Sequence, residues 1–178
     1  MEKELTGQDN KSIYIFNSRN RKKELFVPVL DKKVSMYTCG PTVYNYIHIG
    51  NARPLIVFDV IRKYFEYCGF EVKYAQNITD IDDRIIEKAI EEKTSTNEIA
   101  NRFTKAFFDN CKALGTKKPN FSPKATDYVG EMINLIAGLV KIDTAYEADG
   151  NVFFDVSKDS QYGSFSGKDL HNMELGDR

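Results

Sequence analysis

The stretch from residue 34 to residue 76 limits the fold more than any other part of this sequence, because it reads strand, helix, strand with little chain to spare between them. Val34 to Thr38 is a short strand-like run that ends in the turn residues Cys39, Gly40 and Pro41. From Ala52 to Cys68, the residues Ile56, Val57, Val60, Ile61, Tyr64, Phe65 and Cys68 recur at spacings of three and four, which predicts a helix with one buried face. Pro54 is then expected in the first turn and Gly69 at the C-terminal cap. Phe70 to Gln76 is a second strand, and so short an exit loop predicts parallel pairing through a right-handed crossover. The expected fold class is α/β, a Rossmann-like parallel-sheet nucleotide-binding domain with a helical and hairpin insertion, incomplete in this chain.

The remaining segments fit an insertion after that crossover. Ile13 to Phe16 reads as a short strand, followed by a basic cluster, Arg19, Arg21, Lys22 and Lys23, in a turn. The cluster reads as a solvated loop, with an RNA-binding patch as the alternative. Asp82 to Lys93 predicts a short helix, and Ser95 with Glu98 three residues on is a capping-box start for a helix to Leu114, its inner stripe Phe103, Phe107, Cys111 and Leu114. A proline-containing loop, Lys117 to Pro123, leads to a helix from Ala125 to Lys141. Two strand-like runs, Thr144 to Asp149 and Val152 to Val156, then join through Asp149, Gly150 and Asn151. Residues 1–93 are thus expected to be the first half of the nucleotide-binding domain, and residues 94–178 a helical segment and hairpin leading into an insertion. The tail from Ser157 to Arg178 is polar and has no closing strand or helix of its own, so the chain is expected to be the front part of a longer protein.

Composition narrows the function classes. With 25 Lys and Arg against 26 Asp and Glu, the chain has no global positive field, so any RNA contact must rest on local patches. The apolar run Met132 to Val140 is far shorter than the roughly 20 residues of a membrane span, and the N-terminus has no apolar signal core, so no membrane association and a cytoplasmic location are expected. Cys39, Cys68 and Cys111 lie far apart without a Cys-x-x-Cys pair, which excludes a disulfide framework or a complete zinc finger. Cys68 and Cys111 fall on apolar helical stripes and read as core. On spacing alone Cys39 also reads as a small buried thiol.

The chemistry candidates lie where the first strand gives way to the helix, in Cys39-Gly-Pro-Thr-Val-Tyr-Asn-Tyr-Ile-His48-Ile-Gly50-Asn51. Open parallel sheets bind ligands at the carboxyl ends of their strands, and a helix N-terminus offers free N–H groups to phosphate. Gly50 lets a ligand approach the backbone, and His48 can donate to a phosphate oxygen as charge grows. Asp80, Asp82 and Asp83 read either as helix caps paired with basic residues or as a magnesium site. Tyr44 and Tyr46 read as pocket lining or as packing, and His171 as a solvated surface residue.

The run from Met36 to Pro54 resembles the cysteinyl-tRNA synthetases, class I synthetases that share a His-Ile-Gly-His signature. The resemblance extends through Phe58-Asp59-Val60, Gly69-Phe-Glu-Val-Lys-Tyr, Asn77-Ile-Thr-Asp-Ile-Asp-Asp83, Tyr162-Gly163 and Ser166-Gly167-Lys-Asp-Leu170. Asn51 stands where the signature has its second histidine. The resemblance implies a protein that activates cysteine with ATP, with Mg2+, to cysteinyl adenylate and transfers it to tRNA(Cys). It assigns His48 and Asn51 to catalysis, and Pro41, Thr42, His48, Ile49, Gly50 and Asn51 to ATP. It assigns Cys39, Gly40, Thr42 and Thr79 to the cysteine substrate, and Cys39 to a Zn2+ ion whose other ligands, a Cys, a His and a Glu, come from a later segment. A soft thiolate on zinc separates cysteine from serine where shape alone does so poorly. The second ATP motif of the family, Lys-Met-Ser-Lys-Ser, and its helical anticodon domain lie downstream, and a monomer is expected. A cysteine–aminosugar ligase of the same fold, a small nucleotidyltransferase and a non-catalytic nucleotide-binding module are the alternative readings.

Overall fold

The fold comes from a computed structural model, which describes residues 12–167. His171, and Lys168, Asp169 and Leu170 of the resemblance run, lie outside the described residues. In chain order the elements are β1 (Tyr14–Asn17), β2 (Lys22–Leu25), β3 (Lys33–Thr38), α1 (Ile49–Tyr67), β4 (Glu71–Gln76), α2 (Asp83–Glu92), α3 (Thr96–Ala113), a 3₁₀ turn (Ala125–Tyr128), α4 (Val129–Lys141), β5 (Ala145–Ala148) and β6 (Asn151–Phe154). The chain divides into two compact units, one of them Pro28–Met132 and the other the residues up to Val27 with those from Ile133 on.

In the Pro28–Met132 unit, β3 and β4 pair in parallel across α1, with Lys33 opposite Glu71 and Thr38 opposite Gln76. Val34, Thr38, Val72, Tyr74 and Gln76 alternate along the strands as the buried positions, the two-residue period of a sheet with one covered face. The stretch expected as a loop before α4 runs instead as a parallel edge beside β4, through bridges Ala75 to Phe121 and Ile78 to Lys124. Gln76 N donates to the Phe121 carbonyl at 3.0 Å and Ile78 N to the Pro123 carbonyl at 2.8 Å. Pro119 and Pro123 hid this strand from a propensity reading, but Pro119 precedes the bridged residues and Pro123 needs only its carbonyl on the paired side.

α1 departs from expectation in two ways. It begins at Ile49 rather than Ala52, so Pro54 sits in the second turn and removes the N–H that would reach the Gly50 carbonyl. Its buried face is Ala52, Leu55, Asp59, Arg62 and Phe65, whereas Ile56, Val57, Val60 and Tyr64 are exposed and Ile61 and Cys68 half-buried. The apolar periodicity pointed the wrong way because two of the buried positions are charged. Arg62, only 3% exposed, donates to the Lys118 carbonyl at 2.8 Å and Asn120 Oδ1 at 3.0 Å, and pairs with Glu66 at 3.1 Å. Asp59 accepts from Lys117 N at 2.8 Å and pairs with Lys63 at 2.6 Å. These bonds tie the approach to the third edge onto α1, and buried charge is stable here because it is paired.

α2 and α3 begin as their caps predict, with Asp82 accepting from Arg84 N and Ser95 from Glu98 N. Ile99, Ala100, Phe103 and Phe107 of α3 pack with Val43, Leu55, Ile78, Ile85 and Ala89 into the core, with Cys111 half-buried against it. Leu114 is not in that stripe. It caps the helix and is exposed, because the chain turns away at Gly115 with φ of 71°.

In the other unit, β1 and β2 form an antiparallel hairpin with Phe16 opposite Lys23, so Lys22 and Lys23 open a strand rather than extend the turn. β5 and β6 pair with Ala148 opposite Asn151, and Asp149 and Gly150 between them have φ of 51° and 76°, the left-handed pair of a type I′ turn.

Candidate functional site

The carboxyl ends of β3 and β4 stay in contact beyond the last ladder pair. Thr79 N donates to the Pro41 carbonyl at 3.0 Å and Val43 N to the Thr79 carbonyl at 3.2 Å, a parallel bridge between Thr42 and Thr79. The buried residues Val43 and Ile78, each 1% exposed, anchor both arms of this edge in the core. Cys39, Gly40, Pro41, Thr42 and Thr79 are therefore held together, as the sequence suggested.

Gly40 is required by space. A Cβ there would lie 1.6 Å from the Asn77 carbonyl oxygen, so only glycine lets the two arms touch. Gly40 N donates to Asn77 Oδ1 at 2.8 Å, Tyr37 Oη donates to the same oxygen at 2.9 Å, and Asn77 Nδ2 donates to Thr79 Oγ1 at 3.1 Å. Cys39 is exposed rather than buried, with only a long Sγ contact to the Gly40 carbonyl at 3.6 Å, so its thiol is open to a ligand.

His48 and Asn51 form the N-terminal capping box of α1. His48 Nδ1 accepts from Gly50 N at 3.0 Å, and Asn51 Oδ1 accepts from His48 N at 3.1 Å. Because Nδ1 accepts, the ring proton is carried by Nε2, which is left as a donor. Gly50 permits the arrangement, because a Cβ would meet the His48 ring at Cε1 at 2.7 Å. His48, Ile49, Gly50 and Asn51 are all exposed.

The acidic cluster is divided among separate tasks. Asp82 caps α2 and binds Arg84 Nε at 2.9 Å, and Asp80 accepts from Thr126 N at 3.0 Å and Thr126 Oγ1 at 2.6 Å. Arg84 also donates to Thr42 Oγ1 at 3.1 Å and lies over the Tyr44 ring at 4.8 Å. Its side-chain hydrogen bond, then its backbone N–H, hold Asp82 below the usual carboxylate range, and Asp82 in turn raises the Arg84 pKa. Tyr44 packs half-buried against the core, and Tyr46 meets Phe103 edge to face at 5.3 Å between centroids. Among the described residues no group of three or more His, Cys, Asp or Glu gathers to hold a metal ion.

Two of the clefts in this unit can be set against the candidate residues. One, of about 480 Å³ beside Asp59, Gln76 and Cys111, contains none of the candidate residues. The other, of about 300 Å³, is lined by Tyr37, Asn77, Lys124 and Tyr128 and opens beside Asn77 at the strand ends. Sequence reasoning singled out neither Asn77 nor Arg84. Neither was given a role: Asn77 immediately follows a predicted strand and opens the Asn77 to Asp83 run of the resemblance, and Arg84 follows the capping aspartates.

Residues 25–178 match the family model described as tRNA synthetases class I (C) catalytic domain. The chain is 48% identical over 164 residues to the cysteine-tRNA ligase of Carboxydothermus hydrogenoformans, covering 92% of this chain and 35% of the relative. It is 48% identical over 167 residues to that of Listeria welshimeri, 94% of this chain and 36% of the relative. It therefore spans about a third of the length of these relatives. Among solved structures, the Mycobacterium tuberculosis methionyl-tRNA synthetase bound by methionyl-adenylate matches with a TM-score of 0.54 at 14% identity, over 68% of this chain and 28% of that one. At that identity the likeness is one of fold, and it agrees with the incomplete Rossmann-like sheet.

Proposed function

The chain belongs to the class I cysteinyl-tRNA synthetase catalytic-domain family, and from that premise we propose that the intact protein activates cysteine with ATP and transfers it to tRNA(Cys). The observation that carries this reading is the pairing of two features after β3: a strand-end edge, bridged at Thr42 and Thr79, on which Cys39 is exposed, and an exposed helix start whose cap engages His48 through Nδ1 and leaves Nε2 uncommitted.

In the proposed reaction a carboxylate oxygen of cysteine attacks the α-phosphorus of ATP in line, the bond from the α-phosphorus to the oxygen bridging it to the β-phosphate breaks, and pyrophosphate leaves. Negative charge grows on the non-bridging oxygens of the α-phosphate or on the leaving group. The imidazole, already oriented by Gly50 N, meets that charge without reorganisation. Asn51 keeps the cap and thereby the ring in place. Pro41, Thr42, Ile49 and Gly50 provide the remaining backbone and side-chain wall for ATP, and Gly40, Thr42 and Thr79 that for the amino acid.

The Cys39 thiol fits the role of one soft ligand to zinc, because it is exposed at the strand end and committed to no strong hydrogen bond. The other ligands, a Cys, a His and a Glu, are expected outside this chain. When bound, the ion supplies a direct bond to the substrate thiolate, which serine cannot match. Charging of unfractionated tRNA with labelled cysteine by the intact gene product tests the proposal. Labelled tRNA is the expected product, and transfer to an aminosugar with no tRNA labelling would overturn it.

A further inference from the structure

The Asn77 side chain bridges both arms of the strand-end edge, and its geometry fixes which way it faces. Gly40 N–H is a donor only, so the atom it reaches at 2.8 Å must be the amide oxygen, and the amide nitrogen therefore faces Thr79 Oγ1 at 3.1 Å. In that contact the Thr79 hydroxyl is the acceptor. Its own proton is left without an acceptor among the described residues, at a half-buried position next to Gly40 and Pro41.

We propose that Asn77 is a positioning residue that holds Thr79 as a hydrogen-bond donor toward an acceptor oxygen of the bound amino acid, the carboxylate that is to be activated. The inference rests on the functional reading above and deepens it. A threonine hydroxyl left to itself rotates among its neighbours, and its proton satisfies whichever acceptor is nearest. With Nδ2 of Asn77 occupying one lone pair, the proton is directed away from the amide, and the ligand oxygen meets a donor already aimed. The same amide oxygen holds the Gly40 peptide and so fixes the backbone that carries Cys39. One side chain thus sets the spacing between the thiol and the hydroxyl.

The test is a double-mutant cycle on the intact gene product, read by cysteine-dependent ATP–pyrophosphate exchange. Asn77→Asp keeps an acceptor for Gly40 N and Tyr37 Oη but presents a second oxygen to Thr79, which turns its proton inward. It should raise KM for cysteine about tenfold or more and leave KM for ATP within about twofold, the size of one lost hydrogen bond to a charged group. Thr79→Val should do the same, and the double variant should be no worse than Thr79→Val alone, because residues that act through one another are not additive. Asn77→Ser, which removes the Nδ2 donor and the Oδ1 acceptor together without adding charge, should also raise KM for cysteine and spare KM for ATP, which separates the loss of positioning from charge repulsion by the aspartate. Multiplicative effects in the double variant, or an equal rise in both KM values, would overturn the positioning role. Absence of cysteine-dependent exchange in the unaltered protein would instead overturn the functional reading and the inference that rests on it.

Discussion

Gly50 N donates to His48 Nδ1 at 3.0 Å, and a methyl group on Gly50 would lie 2.7 Å from Cε1 of the same ring. The two residues of the signature are therefore one mechanical unit. The glycine supplies both the hydrogen bond that selects the tautomer and the space in which the ring lies over the helix start.

Capping and chemistry can be separated at His48. His48→Asn retains a good N-cap residue and should stay within about 1 kcal/mol of the original stability, while exchange should slow by roughly 10² to 10³ if Nε2 stabilises transition-state charge. His48→Ala should show the same rate loss together with about 0.5–2 kcal/mol of destabilisation. Denaturant midpoints and exchange rates on the same preparations check both. An unchanged exchange rate in His48→Asn would remove His48 from the chemistry.

Cys39 and Gly40 should respond in opposite ways. Cys39→Ser changes an exposed side chain, so the unfolding midpoint should hold while zinc content of the intact protein falls. Gly40→Ala has no room, with the Asn77 carbonyl 1.6 Å from the new carbon, and should destabilise by about 1–3 kcal/mol or more. Elemental analysis and thermal unfolding distinguish the two.

Arg62 is a fork that lysine cannot replace. It reaches the Lys118 carbonyl, Asn120 Oδ1 and Glu66 at 2.8, 3.0 and 3.1 Å. Arg62→Lys keeps the charge but loses most of this geometry, and a loss of about 1.5–3 kcal/mol in stability is expected from chemical denaturation.

The Lys117 ammonium, against the opposing effect of burial and with further help from Arg62, holds the Glu66 carboxyl below its ordinary pKa. A folded-state pKa below the unfolded one means that the stabilisation is present above the usual glutamate range, about 4.3, and is lost as pH falls through the folded value. Unfolding midpoints of the original protein and Glu66→Gln should differ at pH 7 and converge as pH falls from about 5 toward 3. A difference that persists at low pH would show that the pair contributes no linked stability.

The sheet and the helix caps were legible in the sequence because each depends on local chemistry: Asp82 and Ser95 cap where their spacing to apolar runs says they should, and Asp149-Gly150 turns as a type I′ pair must. The face of α1 was not legible. Asp59 and Arg62 are buried by partners that arrive some sixty positions later, Lys117, Lys118 and Asn120, and no local pattern announces them. The strand-like edge at Phe121 to Lys124 was hidden for a similar reason, since its pairing is set by β4 and not by its own proline-rich composition. At the candidate site, Cys39 and His48 were found through their motif. Asn77 emerged only when the two strand ends were seen to share it.

The most direct measurement is ATP–pyrophosphate exchange by the intact gene product with cysteine and with serine as competing substrates. Exchange is expected to require cysteine, to discriminate strongly against serine, and to fall when zinc is removed. Exchange that is indifferent to cysteine, or that accepts serine equally well, would contradict the proposed function.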